Sequence, residues 1–186
     1  MKENNKITVE GLYHDEHNKI SIPLLPDLKD NVNNIEMLLK NCSDKVGRII
    51  QIGKSNPLDI YILYFDGLAK RDVIEFGILE KILYQQDQAL DHGDDQFESL
   101  TQLLLHNIGG TVDIEESDSF DGLVNAALSG NTAIFVDGIA KGLIVATKGG
   151  WQGRGVGVPD NESVIRGPKE AFTEAVRLNT ALIRRR

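Results

Sequence analysis

Residues 58–65, Leu-Asp-Ile-Tyr-Ile-Leu-Tyr-Phe, are apolar at odd and even positions alike. A strand with one wet face alternates apolar and polar residues, so a run of this kind belongs inside an α/β sheet, buried on both sides. Residues 46–52 (VGRIIQI) form a second short apolar run and predict a second buried strand. Two helices flank the pair. Residues 27–41 carry Val32, Ile35, Met37, Leu38 and Leu39 as an apolar stripe, with Asp30 or Asn31 as candidate caps. Residues 71–86 carry Val73, Ile74, Ile78, Leu79, Ile82 and Leu83 on one side. The order helix, strand, strand, helix predicts a small α/β lobe over residues 27–86.

Residues 1–26 are polar and without periodicity, and read as a flexible arm. The acidic stretch 87–95 (DQALDHGDD) reads as a linker. A second α/β lobe is expected over 96–186. It comprises a helix over 97–106, a short strand over 111–114 and a helix over 119–129 with Gly130 at its C-terminal end. Strands follow over 132–136 and 139–147, joined by Asp137 and Gly138, a hairpin signal. A glycine-rich loop, 149–159, leads to a terminal helix over 168–186, with Pro168 suited to its first turn. That helix is still periodic where the sequence stops, the pattern of a piece of a longer polypeptide. The expected architecture is thus α/β, two small lobes, the second containing a β-hairpin and closed by a C-terminal helix.

Composition narrows the function classes. The net charge of −8 divides unevenly: residues 1–140 hold 24 acids and 11 bases, residues 141–186 hold 4 acids and 9 bases. An acidic body with few aromatics is not a nucleic-acid binder. Cys42 is the single cysteine, so no intrachain disulfide forms. The amino-terminal residues lack the apolar segment of a secretory signal, and no run is long enough to span a bilayer. The arginines at 184–186 would oppose the dipole of the last helix.

No catalytic set is legible. Gly53-Lys54-Ser55 has the end of a phosphate-binding loop, but position 48, where such a loop needs glycine, is Arg48. Asp66 and Asp137 each follow an apolar run, as strand-end turn residues do. His14 and His17, with Asp15 and Glu16 between them, lie in a stretch without helical patterning, so neither they nor the acids around His92 read as a metal site. No cofactor is expected.

The most unusual stretch is 149–168, GGWQGRGVGVPDNESVIRGP, with six glycines, Arg154, Arg166 and the lone Trp151. Two readings are open: an anion held by backbone N–H groups and Arg154, or a tight structural path whose arginines pair with acids of the body.

Here the sequence resembles a family. Residues 153–186, GRGVGVPDNESVIRGPKEAFTEAVRLNTALIRRR, are similar over 34 consecutive positions to the signature of the GerA-type spore germination receptor A subunit. The stretch 128–138 also fits, while residues 1–95 resemble the family only in outline. Val158 departs from it by standing where the family usually has an acid. The resemblance marks Gly153, Arg154, Gly155, Gly157, Pro159, Glu162, Arg166, Gly167, Pro168, Phe172 and Asn179 as positions of interaction or structure.

It also implies a non-enzymatic role: the soluble N-terminal domain of a nutrient receptor in the inner membrane of the bacterial spore. There it would act with B and C subunits in ligand sensing, subunit assembly or both. Self-association and a germinant such as an amino acid or sugar are open, and membrane attachment would come through a downstream region. A basic stretch approaching a membrane places this domain on the core, cytoplasmic, side. The alternative class is an anion- or nucleotide-binding α/β domain of an enzyme or regulator.

Overall fold

The computed structural model describes residues 13–14, 20–53, 57–89, 96–107, 113–149 and 176–184. Its elements are β1 (Tyr13–His14), β2 (Ile20–Ser21), α1 (Leu28–Leu38), β3 (Lys45–Ile52), β4 (Leu58–Phe65), a π-helical segment (Val73–Leu79) running into α2 (Glu80–Ala89), α3 (Gln96–Asn107), β5 (Ile114–Ser117), α4 (Phe120–Leu128), β6 (Thr132–Val136), β7 (Gly142–Val145) and α5 (Val176–Arg184). β1 and β2 form a small antiparallel pair; the other strands make one five-stranded sheet in the order β3-β4-β6-β7-β5, antiparallel throughout.

The mixed α/β class is as expected. The two expected lobes, however, share one sheet: Ile60–Leu63 in β4 pair with Val136–Ala133 in β6. The reason lies in β4 itself. One helix-strand-strand-helix unit cannot cover both faces of a strand apolar on both. With β6 and β7 beside it, β4 sits inside a sheet coated by helices on each side. Ile60 and Ile62 join Ile134, Val136, Leu143 and Val145 under Ile74, Ile78, Ile82, Leu100 and Leu104. Tyr61, Leu63 and Phe65 join Ala133 and Phe135 under Leu28, Ile35, Phe120, Leu123 and Ala181. Phe135 is the centre of the second core, with the Tyr61 ring 6.1 Å away and the Phe120 ring 6.4 Å away. Burying each such aliphatic side chain contributes about 1.5–3 kcal/mol.

Several local expectations are revised. Expected as a buried strand, β3 is the sheet's edge, and Ile49 is largely exposed on it. The cap of α1 is Asp27, whose carboxylate accepts from the N–H groups of Lys29 (2.8 Å) and Asp30 (3.3 Å). Asn31 is instead buried. Its Nδ2 donates to the Leu25 carbonyl (2.6 Å) and its Oδ1 accepts from the Leu25 N–H (3.2 Å). That bracket and Leu24, buried in the second core, dock residues 20–26 of the expected arm. On α1, Met37 and Leu38 are exposed, while Leu28, Ile35 and Leu39 are buried.

The hairpin β6–β7 forms in the register Phe135↔Gly142, with a turn wider than two residues. Asp137 is otherwise engaged: its Oδ1 accepts the Leu28 N–H (3.0 Å), and the Gly138 N–H donates to the Pro26 carbonyl (2.9 Å). The turn thus caps α1 from outside, where a carboxylate favours a helix start. Ser119 caps α4 through the Gly122 N–H (3.0 Å), and Gly130 ends it at φ +101°.

One glycine is fixed by close approach. A Cβ on Gly47 in β3 would lie 1.9 Å from Oη of Tyr61, the cross-strand neighbour of Ile49. Tyr61 is buried, and its hydroxyl makes no hydrogen bond among the described residues. Burial, and then the nearby Glu36 carboxylate, push this hydroxyl up to about 12. Gly47→Ala should therefore destabilise the chain by about 1–3 kcal/mol in urea denaturation, because overpacking displaces a ring with nowhere to go. Tyr61→Phe should be nearly neutral, since the hydroxyl it removes has no partner to lose.

Candidate functional site

Of the residues the family resemblance marks, Gly153, Arg154, Gly155, Gly157, Pro159, Glu162, Arg166, Gly167, Pro168 and Phe172 lie outside the described residues, as do Trp151, His17, His92, Lys54 and Ser55. Asn179 is half-buried on α5. Among the described residues no group of three or more His, Cys, Asp or Glu side chains could hold a metal ion, and no helix is long and apolar enough to cross a membrane. The Phe65 carbonyl accepts from the N–H groups of Leu68 and Ala69 (both 3.2 Å), so the strand-end Asp66 belongs to a turn.

What the structure does assemble is the seat of α5. This helix ends the signature stretch, and its Ala181 is part of the second core. Leu182 is buried beside it. At the end of α5, Arg184 reaches the turn between α1 and β3. Its Nε donates to Asp44 Oδ2 and its Nη2 to Asp44 Oδ1, both at 2.5 Å, a bidentate pair across 140 residues of sequence. The guanidinium lies 4.3 Å from the centre of the Phe65 ring, at the end of β4. Planar, delocalised and weakly hydrated, guanidinium suits both contacts, where an ammonium would serve neither as well. The Cys42 thiol is a further neighbour of Arg184.

Electrostatics follow the geometry. The Arg184 hydrogen bonds hold the Asp44 carboxyl below its ordinary value against an opposing effect of burial. Asp44 in turn raises Arg184, again against burial, so the pair stays ionised. Arg184 therefore does more than oppose a helix dipole: it fastens α5 to the sheet. Sequence reasoning had no local signal for Asp44, because its partner lies at the far end of the chain.

A second polar cluster fixes the amino-terminal segment. Asp121 Oδ1 accepts from Ser119 Oγ (2.7 Å) and from the Ile22 N–H (2.8 Å), and Ser21 Oγ donates to Ser119 Oγ (3.0 Å). Burial pushes the Asp121 carboxyl up, but the hydrogen bonds from Ser119, Ile22 and Ser21 outweigh it and leave it lowered. Two serines and a carboxylate at the start of α4 thus hold residues 21 and 22 against this helix.

Comparison with known proteins places these features in a family. A family model described as Bacillus/Clostridium GerA spore germination protein matches residues 33–186, which include Asp44, Phe65 and all of α5. The membrane protein YfkQ of Bacillus subtilis (strain 168) is 35% identical over 162 residues, 87% of this chain and 29% of that protein. Spore germination protein KA of the same organism is 29% identical over 160 residues, 86% of this chain and 28% of that protein. The chain thus spans under a third of the length of these relatives. The crystal structure of the N-terminal domain of the A subunit of the Bacillus megaterium spore germinant receptor GerK3 superposes with a TM-score of 0.66 at 28% identity, covering 90% of this chain and 57% of that one.

The seat of α5 yields a pH prediction. A carboxyl whose folded value is lowered adds stability that is present above its unfolded value and lost as pH falls through the folded one. Asp44→Asn should cost about 1 kcal/mol near neutral pH, a figure reduced for partial exposure. The gap from wild type should hold down to about pH 5 and close as pH falls below the ordinary value of 3.8, as followed by denaturant titration from pH 7 to 2.

Proposed function

Because the chain belongs to the GerA family of spore germination proteins, we propose that it acts as the N-terminal domain of a germinant receptor A subunit, in nutrient-triggered germination, by assembling with other subunits and passing a conformational signal through α5. The observation that carries this reading is the fastening of α5 to the sheet by Arg184, Asp44 and Phe65. A helix so held moves with the sheet, so a displacement at either end is felt at the other. The reading gives the chain no reaction to catalyse and no cofactor.

The same reading assigns partners. B and C subunits of the receptor are the proposed neighbours, and the domain works outside the bilayer on the core side of the inner spore membrane. The excess of bases in residues 141–186 supports that side, as positively charged stretches beside a membrane favour the cytoplasmic face. Arg154 and Arg166 are proposed to mate with an acidic surface of a neighbouring subunit. The sheet continuous from β3 to β5 supports assembly, which is the role proposed here in preference to nutrient binding by this domain alone.

The test is made in spores carrying the complete receptor. Arg154→Ala or Arg166→Ala should slow nutrient-triggered germination by about tenfold or more, the effect of losing one charged anchor at an interface. Receptor level should fall with it, while the purified domain keeps its melting temperature. Variants that germinate normally, or domains that no longer fold, would count against an interface role for these arginines.

A further inference from the structure

At the sheet's edge, β3 runs unbroken: all eight residues, Lys45–Ile52, stay in register with Phe65–Leu58, without a bulge or a proline. In an antiparallel pair the N–H and C=O groups of alternate residues face the neighbouring strand, and those of the residues between face away. The Asp44 carbonyl accepts from the Asp66 N–H (2.9 Å), which turns the even-numbered residues of β3 toward β4. The backbone groups of Gly47, Ile49 and Gln51 therefore point outward. Among the described residues nothing hydrogen-bonds to them there.

Sheet edges are commonly closed to pairing by charge, proline or a bulge. Lys45 stands at one end of β3, but its Nζ is engaged by Glu36 Oε2. In the middle of the strand Ile49 is 57% exposed. Gly47 beside it has no side chain to keep another backbone away. Arg48 is exposed and, among the described residues, unpaired. Residues 45–52 hold two bases and no acid, on a chain whose net charge is −8. The pleat puts Arg48 on the face of its cross-strand neighbour Ile62, in the first core, and Ile49 on the opposite face with Tyr61.

We infer that β3 takes up an extended segment of another polypeptide as a sixth strand of the sheet, a segment that carries aspartate or glutamate next to an apolar residue. The open backbone groups fix the occupant as a strand, because a helix has its own N–H and C=O groups paired internally. The side chains fix its chemistry. Successive residues of the incoming strand lie on opposite faces, so the acid meets Arg48 on one face while the apolar residue covers Ile49 on the other. A basic edge attracts an acidic strand and repels a basic one. A second copy of β3 would bring Lys45 and Arg48 against the same two bases. This surface is separate from Arg154 and Arg166, and the inference stands whether or not those arginines serve as anchors.

An apolar photo-crosslinking amino acid at position 49, in the complete polypeptide in a spore-forming host, tests it. The expected adduct, mapped by mass spectrometry, joins β3 to a segment of another protein that carries an acid next to an apolar residue. Two substitutions separate the charge from the backbone. Arg48→Glu should lower the adduct yield about tenfold, and changing the captured acid to lysine in the partner should restore it. Gln51→Pro removes an outward N–H and no bond to β4, so it should lower the yield to a similar degree with unchanged circular dichroism of the purified chain. If Gln51→Pro does not fold, the charge swap decides alone. Adducts to a segment without an acid, to a second copy of this chain or to the same chain, no adduct, or a yield that the charge swap or a folded Gln51→Pro chain leaves unchanged would each overturn the inference.

Discussion

A strand that is apolar on both faces can be stable only where two layers cover it, and β4 imposes that condition on the rest of the chain. Its odd-numbered residues Tyr61, Leu63 and Phe65 need one set of helices; Ile60 and Ile62 need another. The hairpin β6–β7 extends the surface those helices rest on, and β3 closes the other side of β4. Several polar details serve this arrangement. Asp137 leaves the hairpin turn to hold the start of α1, and Asn31 brackets the segment that leads into it. Gly47 lets the Tyr61 ring lie under the edge strand.

The end of β4 is also where the chain's last helix is fastened. Phe65 faces the Arg184 guanidinium, and Asp44 fixes it in place. A single strand therefore connects the middle of both cores to α5. Such a connection makes α5 and the sheet move together, because packed interiors move as units and do not deform continuously. The two cores carry the stability of that unit, and the ion pair sets the orientation of one helix upon it.

The sequence was most informative where one rule acted alone. The composition of residues 58–65 placed β4 to the residue, and Gly130 marked the end of α4 by cap chemistry. It was less informative where two demands met on one residue. Asp137 looks like hairpin chemistry but is shared with a helix start, so the turn widens. Ile49 reads as core, yet among the described residues β3 has no strand beyond it and Ile49 is exposed. The π-helical segment was not legible, because Ile74, Ile78 and Ile82 equally fit the spacing of an ordinary amphipathic α-helix. For the candidate site, the family signature was legible over 34 residues, but the residues that seat α5 were not: Asp44 and Phe65 lie in stretches with no signature, and only folding brings them to Arg184.

Native-state hydrogen exchange tests the central claim that one sheet unites both halves of the chain. The amides of Ile60–Leu63 and of Ala133–Val136 should share one opening free energy. Leu100→Ala on one face and Phe135→Ala on the other should each lower both sets equally, each by about 2–5 kcal/mol. Two opening energies that divide the chain near residues 87–95, with each substitution felt only on its own side, would contradict the account.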